Sequence, residues 1–203
     1  MKNNEAKKWK WLFPFTLGNI LLICVCVLFN LLGRWFAGSL ELPLWLDCIG
    51  TFLSAVFLGP LGGAVTGALT NVFLNFRASG QIWFAIVNIA GGIAVGRLFP
   101  RDRKIAAFPV IATSIYAAFI MVVISTPLNM LFNHGYIGNL WGDALVDMLA
   151  PYISAVLPRC FLGELFINVP DKVLSILITM LILYLVRKKK VKKTLPTEAS
   201  ANL

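Results

Sequence analysis

Residues 13–32 read FPFTLGNILLICVCVLFNLL, twenty residues without a charged side chain. An α-helix of about twenty apolar residues crosses the hydrocarbon core of a bilayer, so this stretch predicts a transmembrane helix. The basic segment before it resembles the start of a signal peptide, but the apolar run is too long and no small-x-small cleavage site follows at residues 33–38. We therefore expect residues 13–32 to stay in place as the first span.

The composition of the whole chain is that of a membrane protein. Its 203 residues are 59% hydrophobic and 13% charged, and the mean hydropathy is +0.81. Soluble domains carry about 25% charged residues, so a soluble class is excluded. Six apolar stretches predict an all-α integral membrane protein, a single six-span domain over residues 1–203: residues 13–32, 46–58, 61–76, 82–99, 105–132 and 165–186.

The basic residues indicate how the spans are oriented. The chain has 18 Lys and Arg against 9 Asp and Glu, and the bases concentrate in residues 1–12, in the loop at 97–104 and in the tail at 187–203. Loops rich in Lys and Arg stay in the cytoplasm, and six transmembrane helices place all three clusters there, with both the N and the C terminus cytoplasmic. Basic clusters beside apolar spans indicate contacts with the lipid bilayer of the cell membrane and no nucleic acid partner.

Residues 144–157 are also apolar but too short for a normal span, and they contain Asp147 and Pro151. A seventh span would export the basic tail, against the positive-inside rule. We therefore predict that residues 139–150 form an amphipathic helix on the outer side, in the loop between spans five and six.

Polar side chains concentrate in the outer loops and in the outer halves of the predicted spans. The last span has four on one helical face, spaced i, i+4, i+7 and i+11: Glu164, Asn168, Asp171 and Ser175. A charged group at the centre of a span costs about 2.5–3.5 kcal/mol on insertion scales, so such groups normally face a cavity. The pattern predicts an outward-opening pocket with ten substrate-binding residues: Trp45, Asp47, Gln81, Asn88, Asn129, Trp141, Asp143, Glu164, Asn168 and Asp171.

Several of these residues have a structural alternative. Asp171 can form an ion pair with its neighbour Lys172, and tryptophans at this level can serve as anchors in the aromatic belt of the interface. Asparagines in spans can form hydrogen bonds between helices. The sequence leaves these alternatives open.

Small residues form a second pattern. Gly59, Gly63 and Gly67 recur every fourth residue and give a flat helical face where another backbone can approach. Such a face either packs inside the bundle or docks a partner membrane subunit.

Motifs of catalysis are absent from the sequence. It contains no HExxH, no GxSxG and no GxxxxGK[ST] motif, one histidine, and four cysteines without a CxxC pair. We expect no enzyme activity, no catalytic residue, no metal site and no cofactor. If the pocket serves transport, the energy must come from an ion gradient or from another subunit.

The chain resembles the substrate-binding S components of energy-coupling factor (ECF) vitamin transporters. The resemblance covers nearly the whole chain and rests on six short-looped spans and on the order of four motifs. These motifs are LPLWLDCIGT at 42–51, LGPLGGA at 58–64, GALTN at 67–71 and VPDKV at 169–173.

The resemblance implies a protein that captures a small water-soluble vitamin or vitamin precursor at its outer face, under a lid formed by the loop after the first span. It implies a transmembrane coupling subunit and two cytosolic ATPase subunits as partners, and an S component that topples in the membrane to deliver its substrate. The Ala-x-x-x-Ala docking motif of the family's first span is absent here, and Gly18 followed by Leu22 is its nearest match. Gly18 therefore joins Gly59, Gly63 and Gly67 as predicted docking residues.

A pyridoxine-like compound is the ligand we favour, because acids and amides mixed with tryptophans suit a small planar heterocycle. Two other functions fit the sequence. One is a self-sufficient proton-coupled carrier with Asp171 or Asp47 as its proton site, and the other is a membrane sensor that binds a ligand without moving it.

Overall fold

The computed structural model describes residues 16–77, 79–99 and 107–194. In these ranges every regular element is helical: α1 (Leu17–Ser39), α2 (Ile49–Leu58), α3 (Pro60–Asn75), a 3₁₀ turn (Gln81–Phe84), α4 (Ala85–Leu98), α5 (Ala107–Phe132), α6 (Leu140–Met148) and α7 (Val156–Thr194). Of the predicted basic segments, residues 1–12 and 101–104 lie outside the described residues, as do residues 195–203 of the tail.

Four helical segments are long and apolar enough to cross a membrane: Leu17–Ser39, Gln81–Leu98, Phe108–Phe132 and Val156–Val186. An all-helical chain with four such segments is compatible with the predicted membrane class, while the count of six crossings stays a prediction. Two predicted boundaries are wrong. The first helix continues beyond Leu32 to Ser39 and the last begins at Val156 instead of Leu165, because hydropathy marks the apolar part of a helix and not the point where its backbone hydrogen bonds end.

A tight turn joins α2 to α3. Gly59 has a φ of 90°, a region that L-residues with a side chain rarely adopt, and Pro60 starts α3. Beside this hairpin, the buried amide of Asn30 on α1 donates to Thr51 Oγ1 and Thr70 Oγ1, both at 2.9 Å, and its Oδ1 accepts from Gly50 N at 2.6 Å. One side chain thereby satisfies polar groups on α2 and α3, so the three helices are fixed against one another.

The predicted glycine face packs against α4. A methyl group on Gly92 would lie 2.5 Å from the carbonyl carbon of Gly63, and one on Gly67 would lie 2.7 Å from the carbonyl oxygen of Asn88. Gly59 is buried as well. Of the two roles that the sequence allowed, the structure shows packing inside the bundle, which covers Gly63 and Gly67. The fourth predicted docking residue, Gly18, is exposed on α1, and a methyl group added there would have no atom within 4 Å.

The helices run back and forth, so the ends of the elements gather at two ends of the bundle. One end carries the C-terminus of α1, the 3₁₀ turn, α6 and the N-terminus of α7; the other carries the N-terminus of α1, the α2–α3 turn and the C-terminus of α7. Two contacts show this alternation: Gly96, near the end of α4, lies against Pro60 at the start of α3, and Gly135, just after α5, lies against Val156 at the start of α7. The candidate site lies at the first of these ends.

Candidate ligand-binding site

A cavity of about 400 Å³ opens at the end of the bundle where α6 lies. Its wall comes from α1, the loop before α2, α3, the 3₁₀ turn, α4, α5, the loop after α5, and α7. Ligand pockets usually measure roughly 300–1,000 Å³, so this cavity has the size for a small compound.

Seven of the ten predicted binding residues line the cavity. They come from four helical elements and one loop that are distant in sequence: Trp45, Asp47, Gln81, Asn88, Asn129, Glu164 and Asn168. The helical spacing places Glu164 and Asn168 on the same side because α7 is continuous from Val156, so that residues four apart share a face.

Glu164 lies at the centre of an amide network in the cavity wall. Its side chain is buried, Oε1 accepts from Asn129 Nδ2, and Oε2 accepts from Asn168 Nδ2. Asn133 Nδ2 donates to Asn129 Oδ1 at 2.7 Å, which orients the Asn129 amide so that its NH₂ group faces the carboxylate. The network joins α5 to α7 and holds the Glu164 carboxylate in one position.

Asp171 lies behind the cavity wall and not in it. Its Oδ1 accepts from Trp45 N at 3.1 Å and from Leu46 N at 2.7 Å, and its Oδ2 is 2.5 Å from Lys172 Nζ. The structural alternative that the sequence left open, an ion pair of Asp171 with Lys172, is therefore present. The same carboxylate attaches the loop before α2 to α7, and it is Lys172 that faces the cavity.

Arg34 extends the cavity wall from α1. Its Cζ lies 3.8 Å from the centroid of the Trp45 ring, a cation–π geometry. Arg34 was not among the predicted binding residues because the predicted first span ended at Leu32. Arg34 could have been found as the first base after the apolar run, two residues further along the same helix.

Trp141 and Asp143 are the other predicted binding residues outside the cavity lining. Trp141 Nε1 donates to the carbonyl oxygen of Glu41 at 2.6 Å, and Asp143 Oδ1 accepts from Ile137 N at 2.6 Å and Gly138 N at 3.2 Å. Both side chains are used to position the loops around the cavity. Sequence could not separate this role from ligand binding, because both roles need the same polar groups at the same level.

Tyr136 lines the cavity from an irregular loop where no periodicity indicates which side chains converge. Its hydroxyl donates to Asp147 Oδ1 at 2.8 Å, and this hydrogen bond raises the pKa of Tyr136 above its ordinary value. The hydroxyl is therefore neutral at physiological pH. Further polar lining residues that were not predicted as binding residues are Asn71, Ser125, Asn133 and Lys172.

The four cysteines, all within the described ranges, are free thiols. Cys48 Sγ lies 2.8 Å from Asn88 Oδ1 and so belongs to the polar surroundings of the cavity. Among the described residues, no three His, Cys, Asp or Glu side chains converge in a way that could hold a metal ion.

The fold and the cavity define an all-helical protein, with helices long enough to span a membrane and a polar ligand-sized cavity at one end of the bundle. Comparison with known proteins found no matching family model, no matching curated protein and no matching solved structure.

Proposed function

We propose that this protein is the membrane subunit that binds a small water-soluble vitamin or vitamin precursor for uptake. The observation that carries the proposal is the cavity of about 400 Å³, lined by fixed charged and amide side chains at one end of a membrane-type bundle. Placing charged and polar side chains inside the membrane-embedded part of a protein costs free energy, so such groups normally face a cavity or a ligand.

The lining chemistry supports a pyridoxine-like ligand. Trp45, stacked on Arg34, offers a flat surface for a planar ring, and the amides of Asn88 and Asn168 offer both donors and acceptors for ring substituents. The small volume favours a single substituted ring over a large cofactor.

The proposed topology has six spans, cytoplasmic termini and the cavity facing outward in the cell membrane. The proposed partners are a transmembrane coupling subunit and two cytosolic ATPase subunits, because the chain has no nucleotide-binding motif. With the glycine face of α3 covered by α4, Gly18 on the exposed surface of α1 is the remaining predicted docking position.

A screen against water-soluble vitamins tests the binding function. We expect one compound to raise the apparent stability of the purified protein, by about 2.7 kcal/mol at 100 times its dissociation constant. Asn168→Ala should weaken the binding of that compound by roughly 1–3 kcal/mol, because Glu164 loses a buried donor. Thermal unfolding in detergent measures both effects, and a panel without any stabilising compound would contradict the proposal.

Uptake measurements separate the proposal from the alternatives. We expect proteoliposomes to accumulate the vitamin only when the coupling and ATPase subunits are present. Accumulation by this chain alone under a pH gradient would instead show a proton-coupled carrier, and binding without uptake in either case would show a sensor.

Cysteine labelling of intact cells tests the topology. With the exposed Cys24 replaced by serine, Ser39→Cys and Ala144→Cys should react with a membrane-impermeant maleimide added outside, because both positions are exposed at the cavity end. Lys188→Cys, exposed near the other end, is the matched control and should react only after the cells are lysed. Labelling of Lys188→Cys alone in intact cells would show the reverse orientation.

A further inference from the structure

Glu164 differs from the other acidic groups at the cavity because its hydrogen-bond partners are neutral and Lys172 attracts it only from beyond ion-pair distance. It is 3% exposed, and its carboxylate oxygens accept from the amides of Asn129 and Asn168. The ion pairs found in the described ranges both involve Lys172, which lies 2.5 Å from Asp171 and 3.7 Å from Asp47. No Lys or Arg nitrogen of the described residues lies within 4.0 Å of the Glu164 carboxylate.

The charges around the cavity therefore do not balance at this point. Two cations, Arg34 and Lys172, stand against three carboxylates, and the ion pairs of Lys172 go to Asp47 and Asp171 rather than to Glu164. A buried carboxylate without a counter-charge is unfavourable, and neutral amides compensate it only in part.

The carboxylate also keeps acceptor capacity toward the cavity. An ionised carboxylate has about four acceptor positions; the two amides occupy one on each oxygen, and the Ser125 hydroxyl lies within reach of a further one. The remaining positions belong to a side chain that lines the cavity, so a ligand can supply the missing donor and the missing charge together.

We propose that Glu164 binds a protonated amine of the ligand, so that the preferred ligand is an amine-bearing compound. The assignment rests on the proposed function and narrows its substrate class. A hydrogen bond between two charged groups is stronger than one between neutral groups, so an amine in this position gives both affinity and selection against hydroxyl analogues.

Lys172 and Arg34 define the other end of the ligand. Lys172 follows Glu164 by eight residues on α7, about 12 Å along the helix axis. Both cations line the cavity and can only donate hydrogen bonds. The ligand therefore carries an acceptor, such as the nitrogen of a pyridine ring, on the side of the ring opposite its amine.

Three compounds with one ring test the assignment: pyridoxamine, pyridoxine and 4-pyridoxic acid, which carry an aminomethyl, a hydroxymethyl and a carboxylate group at the same ring carbon. Dissociation constants are measured at pH 7 by calorimetry on the full chain in detergent. We expect pyridoxamine to bind about ten-fold more tightly than pyridoxine, with the acid weakest. Benzylamine, benzyl alcohol and benzoate at millimolar concentration repeat the comparison without the ring substituents, and the same order is expected.

Variants connect the preference to Glu164. Glu164→Gln keeps the size of the side chain and should remove the preference for the amine, whereas Glu164→Asp keeps the charge and should retain it. Glu41→Gln makes the same chemical change at an exposed acid outside this cavity and should leave the preference unchanged. The order of the three compounds on the wild-type protein decides the ligand class, so this part of the test does not depend on Glu164→Gln folding.

The outcomes separate this assignment from the proposed function. If 4-pyridoxic acid and benzoate bind most tightly, the assignment is wrong, and Arg34 and Lys172 determine which ligand binds. Equal affinities for the amine and hydroxyl analogues would contradict the assignment, and so would a preference for the amine that depends only on the NaCl concentration. In either case the protein would still bind a ligand, as the proposed function requires. Absence of binding by these probes and by every water-soluble vitamin would overturn both proposals.

Discussion

Asp171→Ala should lower the free energy of unfolding by about 3–5 kcal/mol, the usual effect of removing one partner of a buried ion pair. The carboxylate is fully buried, with an ion pair to Lys172 and hydrogen bonds from the backbone of Trp45 and Leu46. Without it, the Lys172 ammonium keeps only Asp47, at 3.7 Å, and two backbone donors lose their acceptor. Denaturant unfolding in detergent micelles measures the change.

A second substitution identifies the cause. Asp171→Ala combined with Lys172→Met removes the uncompensated cation and should recover a large part of the lost stability, because a pair of neutral side chains needs no counter-charge. Asp147→Ala is the control, since that carboxylate is exposed and bonds only to the Tyr136 hydroxyl among the described contacts. Unchanged stability of Asp171→Ala together with lost vitamin affinity would show that Asp171 is a binding residue after all.

Gly92→Leu should destabilise the protein by about 3 kcal/mol, at the upper end of the usual effect of overpacking. The first atom of a side chain on Gly92 would already lie 2.5 Å from the carbonyl carbon of Gly63. A main-chain atom cannot rotate away, so α3 and α4 must separate. Because these helices carry Asn71 and Asn88 in the cavity wall, the affinity for the vitamin should fall as well.

Gly38→Leu is the matched control for the change at Gly92. Gly38 lies near the end of α1, and the first atom of a side chain there would have no atom within 4 Å. The same substitution should therefore leave the unfolding midpoint close to that of the wild type. Equal midpoints for both variants would show that the α3–α4 contact is looser than the structure has it.

Helical periodicity alone located much of the candidate site. Glu164 and Asn168 are four residues apart, and any continuous helix presents them on one side, whatever it packs against. Trp45 and Asp47 belong to the same level of the bundle because the loop that holds them follows the first apolar span. These inferences depend on local geometry and on the direction of the chain, which the sequence contains.

Helical periodicity could not predict which of two adjacent residues faces the cavity. Asp171 and Lys172 point about 100° apart on a helix, and nothing local decides which of them faces the cavity. The packing of the loop before α2 decides it: two backbone N–H groups of that loop need an acceptor, and Asp171 supplies it. Lys172 is then left as the side chain in the wall of the cavity.

That the chain is helical, with segments long and apolar enough to cross a membrane, follows from the amino-acid sequence, because the length and apolarity of its segments leave few other ways to satisfy the backbone. The gathering of polar side chains at one level of the bundle follows from it as well. Whether each polar side chain binds a ligand or holds the structure depends on the tertiary structure. Trp141 donates to a carbonyl of another segment, Asp143 accepts from backbone groups of the preceding loop, and Gly63 is covered by another helix. Such partners are selected by the packing of the whole bundle, which has to accommodate buried polar groups and close backbone contacts together, and no local pattern of residues records that choice.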